Sequence, residues 1–459
     1  MRDLEEAMDV DHSDDVEKLL AKARKPLELA TDLHRKYRGK IEVLPKCRVK
    51  DLKDFDIWYT PGVSAPCREI ENNEELVYEL TNKWNTIAVI SDGTRVLGLG
   101  DIGPKAALPV MEGKALLYKY LGGVDAFPIC LDTKDPDKLI ETVKLLHPSF
   151  GGVNLEDISQ PKCFYILERL RRECPIPVWH DDQQGTAAVI LAALFNALKL
   201  VGKRLDDVVI IFMGAGAASI RCADLIFKAG ASPEKCIMYD SRGSLHRKRD
   251  DIEKNPEFYE KWRMCLITNK KQVDAPVERA LKGADVLIAL SKPGPGTVKK
   301  EWIKDMADDA IVFACSNPVP EIWPWEAQEA GAKVVATGRG DFPNQVNNSL
   351  GFPGIFRGTL DVRARTITDE MCIEAAVAIA ETVSDRGLKN DYIIPTMEEW
   401  EVFPREAAAV GMKAIEQGVA GRTLSREELY NTAESIIREA REKTKMLIER
   451  GFIKSFDGQ

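Results

Sequence analysis

Between residues 86 and 200, short apolar runs alternate with stretches whose apolar positions recur at helical spacing. TIAVIS (86–91), AFPICL (126–131), GGVNLED (151–157) and PVWHDD (177–182) read as strands, and the last two end in acids. VMEGKALLYKYL (110–121), DKLIETVKLLH (137–147) and QPKCFYILERLRREC (160–174) read as helices. This alternation predicts parallel pairing with right-handed crossovers. The stretch GTAAVILAALFNALKLVG (185–202) is nearly all apolar and predicts a buried helix. A second alternating series follows, with strands at 208–214, 236–240, 286–290, 310–316 and 333–338 and a helix at 217–229. After residue 365 the pattern turns helical. It closes on REELYNTAESIIREAREKTKMLIER, an amphipathic, charged segment that reads as a solvated packing helix. At the front, residues 13–40 read as a helix that Ser13 can cap, followed by a strand-like run, IEVL (41–44).

A length of 459 residues exceeds one ordinary core and predicts two or three domains. With 44% hydrophobic and 30% charged residues the composition is that of a water-soluble globular protein. The net charge of −9 argues against a nucleic-acid partner. No apolar run suggests a membrane span, and the polar, acidic start resembles neither a signal nor a transit peptide. The ten cysteines form no CxxC pair, which points to reduced thiols in the cytoplasm. Five histidines are too few for a His-rich metal site.

Two segments match a dinucleotide glycine motif or its close variant, GLGDIG (98–103) and GAGAAS (214–219). The second follows a β-rich run, VVIIF, and opens a proline-free helix. Asp240 ends the next strand, where a ribose hydroxyl is read, with Ser241 and Arg242 just beyond. Gly214, Ala215, Gly216, Ala217, Ala218 and Ser219 are therefore the candidate cofactor residues, with helix amides at 216–219 for a pyrophosphate. Asp240 suits NAD, whereas Ser241 and Arg242 leave room for the 2′-phosphate of NADP. The first motif is followed directly by Pro104, and Pro109 is expected to interrupt a helix there. Its glycines read instead as allowing close backbone approach to a ligand or a neighbouring segment. The whole predicts an α/β chain in three parts. These are an N-terminal parallel-sheet domain (1–185), a Rossmann-like NAD(P)-binding domain (186–365) and a helical C-terminal extension (366–459) packing on both.

Glu156, Asp157 and one of Asp181 and Asp182 end parallel strands, the side on which open α/β sheets bind ligands. Converging carboxylates repel one another and call for a cation, and all-oxygen ligands suit Mg²⁺ or Mn²⁺. The competing role is capping of the helices that follow. Lys114 lies in an otherwise apolar stretch. If desolvated, its pKa is lowered and it can act as a base; if solvated, it is a surface lysine. Tyr59 precedes a Pro-Gly turn. The Asn-rich loops NPVPEI (317–322) and QVNNSLGFPGIFRG (345–358) either build turns or hold a substrate carboxylate.

These residues resemble the malic enzyme family. The motifs YTPGV (59–63), DGTRVLGLGDIGPKAALPVMEGK (92–114), NLED (154–157), HDDQQGTAAV (180–189), GAGAAS (214–219), SNPVPEI (316–322) and TGRGDFPNQVNNSLGFPGIFRG (337–358) stand in family order. The length resembles the short bacterial and archaeal form. The resemblance implies metal-dependent oxidative decarboxylation of (S)-malate to pyruvate with NAD or NADP. It implies Tyr59 as general acid and Lys114 as general base supported by Asp181. It further implies Glu156, Asp157 and Asp182 as metal ligands, and Arg95, Asn317, Asn347 and Asn348 as substrate-binding residues. A homodimer or larger assembly is also implied. Three rivals are malolactic chemistry at the same site, another Rossmann dehydrogenase, and a catalytically silent relative.

Overall fold

The computed structural model describes residues 26, 28–96 and 98–454, in two units divided between Leu44 and Pro45. In the first unit residues 28–37 are helical, so the helix expected over 13–40 is seen in part, and Ser13 lies outside the described residues. Residues 41–44 join no β-ladder. An apolar run of four residues with no paired strand is not stable as a strand.

The second unit holds two sheets. The first has the order β2-β1-β3-β4, formed by β1 (Thr86–Ser91), β2 (Asp125–Cys130), β3 (Gly152–Leu155) and β4 (Val178–His180), all parallel. The second has the order β10-β9-β8-β5-β6-β7. It consists of β5 (Ile210–Met213), β6 (Cys236–Asp240), β7 (Gly243–Ser244), β8 (Val286–Ala289), β9 (Ile311–Ala314) and β10 (Val334–Thr337). Only β7 runs antiparallel. Side chains of these strands divide by alternation. Ile210, Phe212, Ile288 and Phe313 join the main core, whereas Ile211, Leu287, Val312 and Val335 build a smaller one. A sheet covered on both faces needs apolar residues at every position, which is why its strands read as unbroken apolar runs.

The helices that matter for the site are α1 (Asp54–Trp58), α2 (Ser64–Asn72), α3 (Pro104–Gly122), α4 (Pro136–Leu146), α5 (Lys162–Glu173), α6 (Asp181–Val201), α7 (Ala217–Lys228), α8 (Phe352–Asp361), α9 (Asp369–Ser384), α10 (Val402–Glu416) and α11 (Arg426–Glu449). Two of them depart from expectation. α3 begins at Pro104 and runs through Pro109. Pro104 occupies the first helical position, where its missing N–H costs nothing. Pro109 forfeits a single bond, and the buried stripe Ala107, Met111, Ala115 and Tyr118 carries the helix past it.

The second departure concerns HDD. β4 stops at His180, and Asp181 and Asp182 are the first residues of α6, not the last of a strand. Acids there meet the free amides and the positive end of the helix. Gly185, at the start of the expected helix, sits one turn into α6. A methyl group on it would lie 2.0 Å from Asp181 Oδ1, so the glycine makes room for that carboxylate. α6 is long and apolar enough to cross a membrane, the one such helix among the described residues. Yet 72% of its most apolar window is buried inside the protein, where it packs on α7 and α9 as a core helix. Of the C-terminal helices, α10 lies against α8, α9 and α11, and α11 reaches α3.

Candidate active site

Strand order reverses between β1 and β3, since the chain passes from β1 to β2 on one side and places β3 and β4 on the other. Ligands of open α/β sheets bind at such reversals, beyond the strands' carboxyl ends. Glu156 and Asp157 follow β3 directly, and the Glu156 amide is held by the Ile90 carbonyl of β1 at 2.9 Å. Asp157 adopts φ 54°, a left-handed conformation uncommon outside glycine, which turns the chain sharply after the acid pair. Its amide donates to Asp182 Oδ2 at 2.9 Å. Carboxylate oxygens of Glu156, Asp157 and Asp182 come within 4.8 Å of one another. Burial lifts the Glu156 carboxyl well above its ordinary pKa. Lys114 pulls it back, and Asp182, Asp181 and Asp157 push it further up. Oxygen donors with excess negative charge, two of them buried and Asp182 half-buried, fit a hard divalent cation.

Lys114 is buried on α3, with its Nζ 2.5 Å from Asp181 Oδ2, 3.0 Å from Glu156 Oε1 and 4.2 Å from the Phe352 ring centre. Burial by itself favours the neutral amine. Asp181 and Glu156 outweigh it and hold the ammonium, so the lysine pKa is raised. The lowered pKa expected for a desolvated lysine is therefore reversed, because desolvation comes with two carboxylates. Asp181 is fully buried and is the hub of the site. Beyond Lys114 it accepts from Trp179 Nε1 at 3.2 Å and from Asn348 Nδ2 at 2.6 Å. Tyr118 donates to Asn154 Oδ1 at 2.9 Å, and Asn154 Nδ2 donates to Glu156 Oε2 at 2.8 Å.

Sequence reasoning missed Trp179, Asn154, Tyr118 and Phe352. Spacing carried a signal for three of them. Tyr118 lies four residues after Lys114 on one helix, Asn154 two before Glu156 along β3, and Trp179 two before Asp181.

The other expected residues are not all brought here. Tyr59, the C-cap of α1, is 70% exposed, and its hydroxyl has no hydrogen bond among the described residues. Arg95 binds the Asp157 carbonyl through its backbone amide at 3.0 Å, while its side chain is exposed. Asn347 spends its side-chain oxygen on Ser349, accepting from the amide and the hydroxyl. Asn317 is exposed beside Gly338. Of the four substrate-binding candidates, Asn348 joins the cluster through its side chain, at Asp181.

In the second sheet, Gly214 follows β5 with φ 118°, and a methyl group on it would meet the Leu290 carbonyl oxygen at 2.3 Å. Gly216 caps α7 with open space where a side chain would stand. Ala217 and Ala218 begin the helix, so its first amides are uncluttered, and the buried Ser219 hydroxyl has no partner. Such an end suits a pyrophosphate. GLGDIG does not form a second seat. Gly103 and Ile102 donate to the Gly93 carbonyl at 3.1 and 3.2 Å, the approach to a neighbouring segment expected of its glycines. Asp240 is not a free acceptor. Arg249 donates to both its oxygens at 3.1 and 2.9 Å, Lys261 lies 3.7 Å away, and the Arg242 amide donates at 2.9 Å. Ser241 is exposed, and the Arg242 side chain turns to Asp251 at 3.0 Å.

Known proteins place this arrangement. Residues 38–171 match the family description "Malic enzyme, N-terminal domain", and residues 183–415 match "Malic enzyme, NAD binding domain". The chain is 50% identical over 406 residues to the bifunctional malic/malolactic enzyme of Bacillus subtilis, covering 88% of this chain and 96% of that one. It is 41% identical over 411 residues to the NADP-dependent malic enzyme of Halomonas elongata, covering 86% and 95%. Among solved structures, the malic enzyme of Entamoeba histolytica superposes with a TM-score of 0.94 at 52% identity, covering 99% of this chain and 94% of that one. That of Pyrococcus horikoshii superposes with a TM-score of 0.83 at 50% identity, covering 88% and 96%. With two family descriptions spanning most of its length and relatives of this similarity, the chain belongs to the malic enzyme family of NAD- or NADP-dependent oxidoreductases.

Proposed function

We propose that this chain oxidises and decarboxylates (S)-malate to pyruvate and CO₂ while reducing NAD⁺ or NADP⁺, with Mg²⁺ or Mn²⁺ held by Glu156, Asp157 and Asp182. The observation that carries this reading is one buried lysine locked to Asp181 beside three carboxylates whose oxygens converge within 4.8 Å. When bound, such an ion makes a coordinated hydroxyl more acidic and polarises a carbonyl. Lys114 is the general base that takes the C2 hydroxyl proton as hydride leaves C2, acting from its neutral form; a divalent ion offsetting the carboxylates that hold its proton would favour that form. Asp181 holds its Nζ in place and keeps the protonated product paired. Asn348, with Asn347, Asn317 and Arg95 on the surrounding loops, binds substrate carboxylate. Tyr59 is the general acid that protonates C3. Its exposure means that it reaches substrate by association of chains or by movement of its segment. Residues 214–219 seat the cofactor pyrophosphate, and Asp240, Ser241 and Arg242 meet the adenosine ribose.

The division into residues 1–185, 186–365 and 366–459 assigns catalysis to the first part and cofactor binding to the second. We place the enzyme in the cytoplasm as a homodimer or larger assembly. The exposed apolar side chains of α1, Phe55, Ile57 and Trp58, support a covered face there. The test is reduction of NAD⁺ and of NADP⁺ by (S)-malate with Mn²⁺, with and without EDTA. Reduction that EDTA abolishes is expected, with pyruvate as product. Reduction insensitive to EDTA overturns the metal assignment. A second reading, release of lactate with the nicotinamide recycled in place, is favoured by the name of the Bacillus relative. Product analysis separates the two.

A further inference from the structure

Glu406 on α10 is a buried acid that the reaction above does not use. It is wholly buried, and neither carboxyl oxygen has a hydrogen-bond partner. Its carboxyl lies against the first turn of α8. A methyl group on Gly354 would stand 2.0 Å from Oε2, and one on Gly351 would stand 3.8 Å from Oε1 and 3.7 Å from the Asn348 carbonyl oxygen. One turn on, Gly358 brings α8 equally close to the Ala407 backbone. The glycines of α8 are thus a socket for α10, and Glu406 fills its end nearest the active site. That same first turn carries Phe352, which lies under Lys114, and follows Asn348, which is bound to Asp181.

We propose that Glu406 is a positioning residue: as an uncharged carboxylic acid it braces the first turn of α8, and through it the seats of Phe352 and Asn348 beside Lys114 and Asp181. The carboxyl meets the start of α8 at Gly351 and Gly354, and Val189 of α6 packs against the same Gly351. The charged groups of those helices are engaged elsewhere. Arg357 pairs with Asp361, Asp181 with Lys114, Asp182 with the Asp157 amide, and Lys199 reaches Ser384. On α9, which also packs on α10, Asp369 pairs with Arg171 and Lys228, and Glu374 with Lys413. On α11, Glu428 accepts from Ser425, Glu434 pairs with Arg438, and Glu439 with Lys443. Burial is accordingly the sole cause that raises the Glu406 pKa, and it does so strongly. Ionisation would place an unpaired charge in the socket and unseat the turn.

The inference rests on the proposed malic reaction for its kinetic readout alone. The experiment compares wild type, Glu406→Gln and Glu406→Ala in the whole enzyme. The kcat for malate oxidation and the near-ultraviolet circular dichroism are followed from pH 6 to pH 10. Glu406→Gln, neutral and of equal shape, is expected to keep kcat within about threefold at pH 7 and to lose the part of the alkaline decline that belongs to Glu406. Glu406→Ala is expected to lower kcat about tenfold with the KM for the nicotinamide nucleotide unchanged. An alkaline limb identical in wild type and Glu406→Gln, in both rate and dichroism, overturns the proposal, and so does an undiminished kcat in Glu406→Ala. If Glu406→Ala does not fold, the comparison with Glu406→Gln still decides. If wild type oxidises no malate, the function proposed above fails, while the dichroism titration still tests Glu406.

Discussion

Asp181 and Asp182 are adjacent and acidic, and the structure gives them different work. Asp181 Oδ2 lies 2.5 Å from Lys114 Nζ and accepts from Asn348 at 2.6 Å, while Asp182 joins the converging oxygens. Replacing Asp181 by Asn keeps the shape and removes the charge. Lys114 and Asn348 both donate to Oδ2, so the amide oxygen can face both only as a weaker, uncharged acceptor, and its N–H₂ then opposes the Trp179 indole N–H, which donates to Oδ1. Hydrogen bonds to charged groups contribute about 1.5–3 kcal/mol each, so a loss near 3 kcal/mol is expected. Expressed as transition-state stabilisation, that is on the order of a hundredfold in kcat/KM for malate. The midpoint of the Mn²⁺ titration should barely move, because Asp181 is not one of the three converging acids. Asp182→Asn should do the reverse, raising the Mn²⁺ midpoint about tenfold or more, since a lost ligand costs at least 1.4 kcal/mol. Initial rates over a grid of malate and Mn²⁺ concentrations measure both effects. If Asp181→Asn shifted the metal midpoint as far as Asp182→Asn and kept its rate at saturating Mn²⁺, the division of roles would be wrong.

Tyr59→Phe should slow pyruvate formation about 10²–10⁴-fold, the usual contribution of a general acid, without weakening nucleotide binding measured by fluorescence. Unchanged turnover would remove Tyr59 from the mechanism. Arg357 is fully buried, pairs with Asp361 at 2.7 Å, binds the Asn85 side chain and lies over the Trp84 ring. Arg357→Met leaves Asp361 buried without its cation and should destabilise the fold by about 3–5 kcal/mol in urea unfolding. The double variant Arg357→Met/Asp361→Leu should recover much of that loss, and a single variant as stable as wild type would contradict the reading. Glu406 binds its proton more tightly folded than unfolded, so its contribution to stability is undiminished below the unfolded pKa near 4.3 and falls as pH rises above it. The stability of Glu406→Gln relative to wild type should therefore grow by about 1.4 kcal/mol per pH unit from there until the folded carboxyl ionises. A pH-independent difference would mean that Glu406 is not held neutral.

Strands such as VVIIF and TIAVIS were easy to read because they lie inside their sheets, buried on two faces, and so run unbroken and apolar. The acids, Lys114 and the GAGAAS turn were legible because their chemistry is local to a motif. What escaped depends on contacts distant in sequence. Nothing near Lys114 reports that Asp181, 67 residues away, and Glu156 hold its proton on. Asp240 looked like a free ribose acceptor until Arg249 closed over both its oxygens. Pro109 looked like a break because local propensity was weighed without the buried stripe that overrides it. Asn347 and Asn348 are indistinguishable in sequence. The fold turns one into a cap and hands the other to Asp181.

The charges of the site also set an order of events. Glu156, Asp157, Asp181 and Asp182 bring four carboxyls together, and Lys114 pairs with Glu156 and Asp181. Acids outnumber the lysine there, and burial together with repulsion from Asp182, Asp181 and Asp157 raises the Glu156 pKa well above its ordinary value. Malate brings two more carboxylates. A dicarboxylate entering this crevice would meet repulsion from the acids, and Asp181 already occupies Lys114. Affinity for malate should therefore depend on prior neutralisation of the acids. Calorimetric titration of malate into enzyme in EDTA should show at least tenfold weaker binding than the same titration in Mn²⁺, an electrostatic difference of 1.4 kcal/mol or more. The gap should narrow in Asp182→Asn, where one of the opposing charges is gone. Equal affinity with and without the ion would mean that the carboxyls are already neutral, and that the cluster stores protons in place of awaiting a cation.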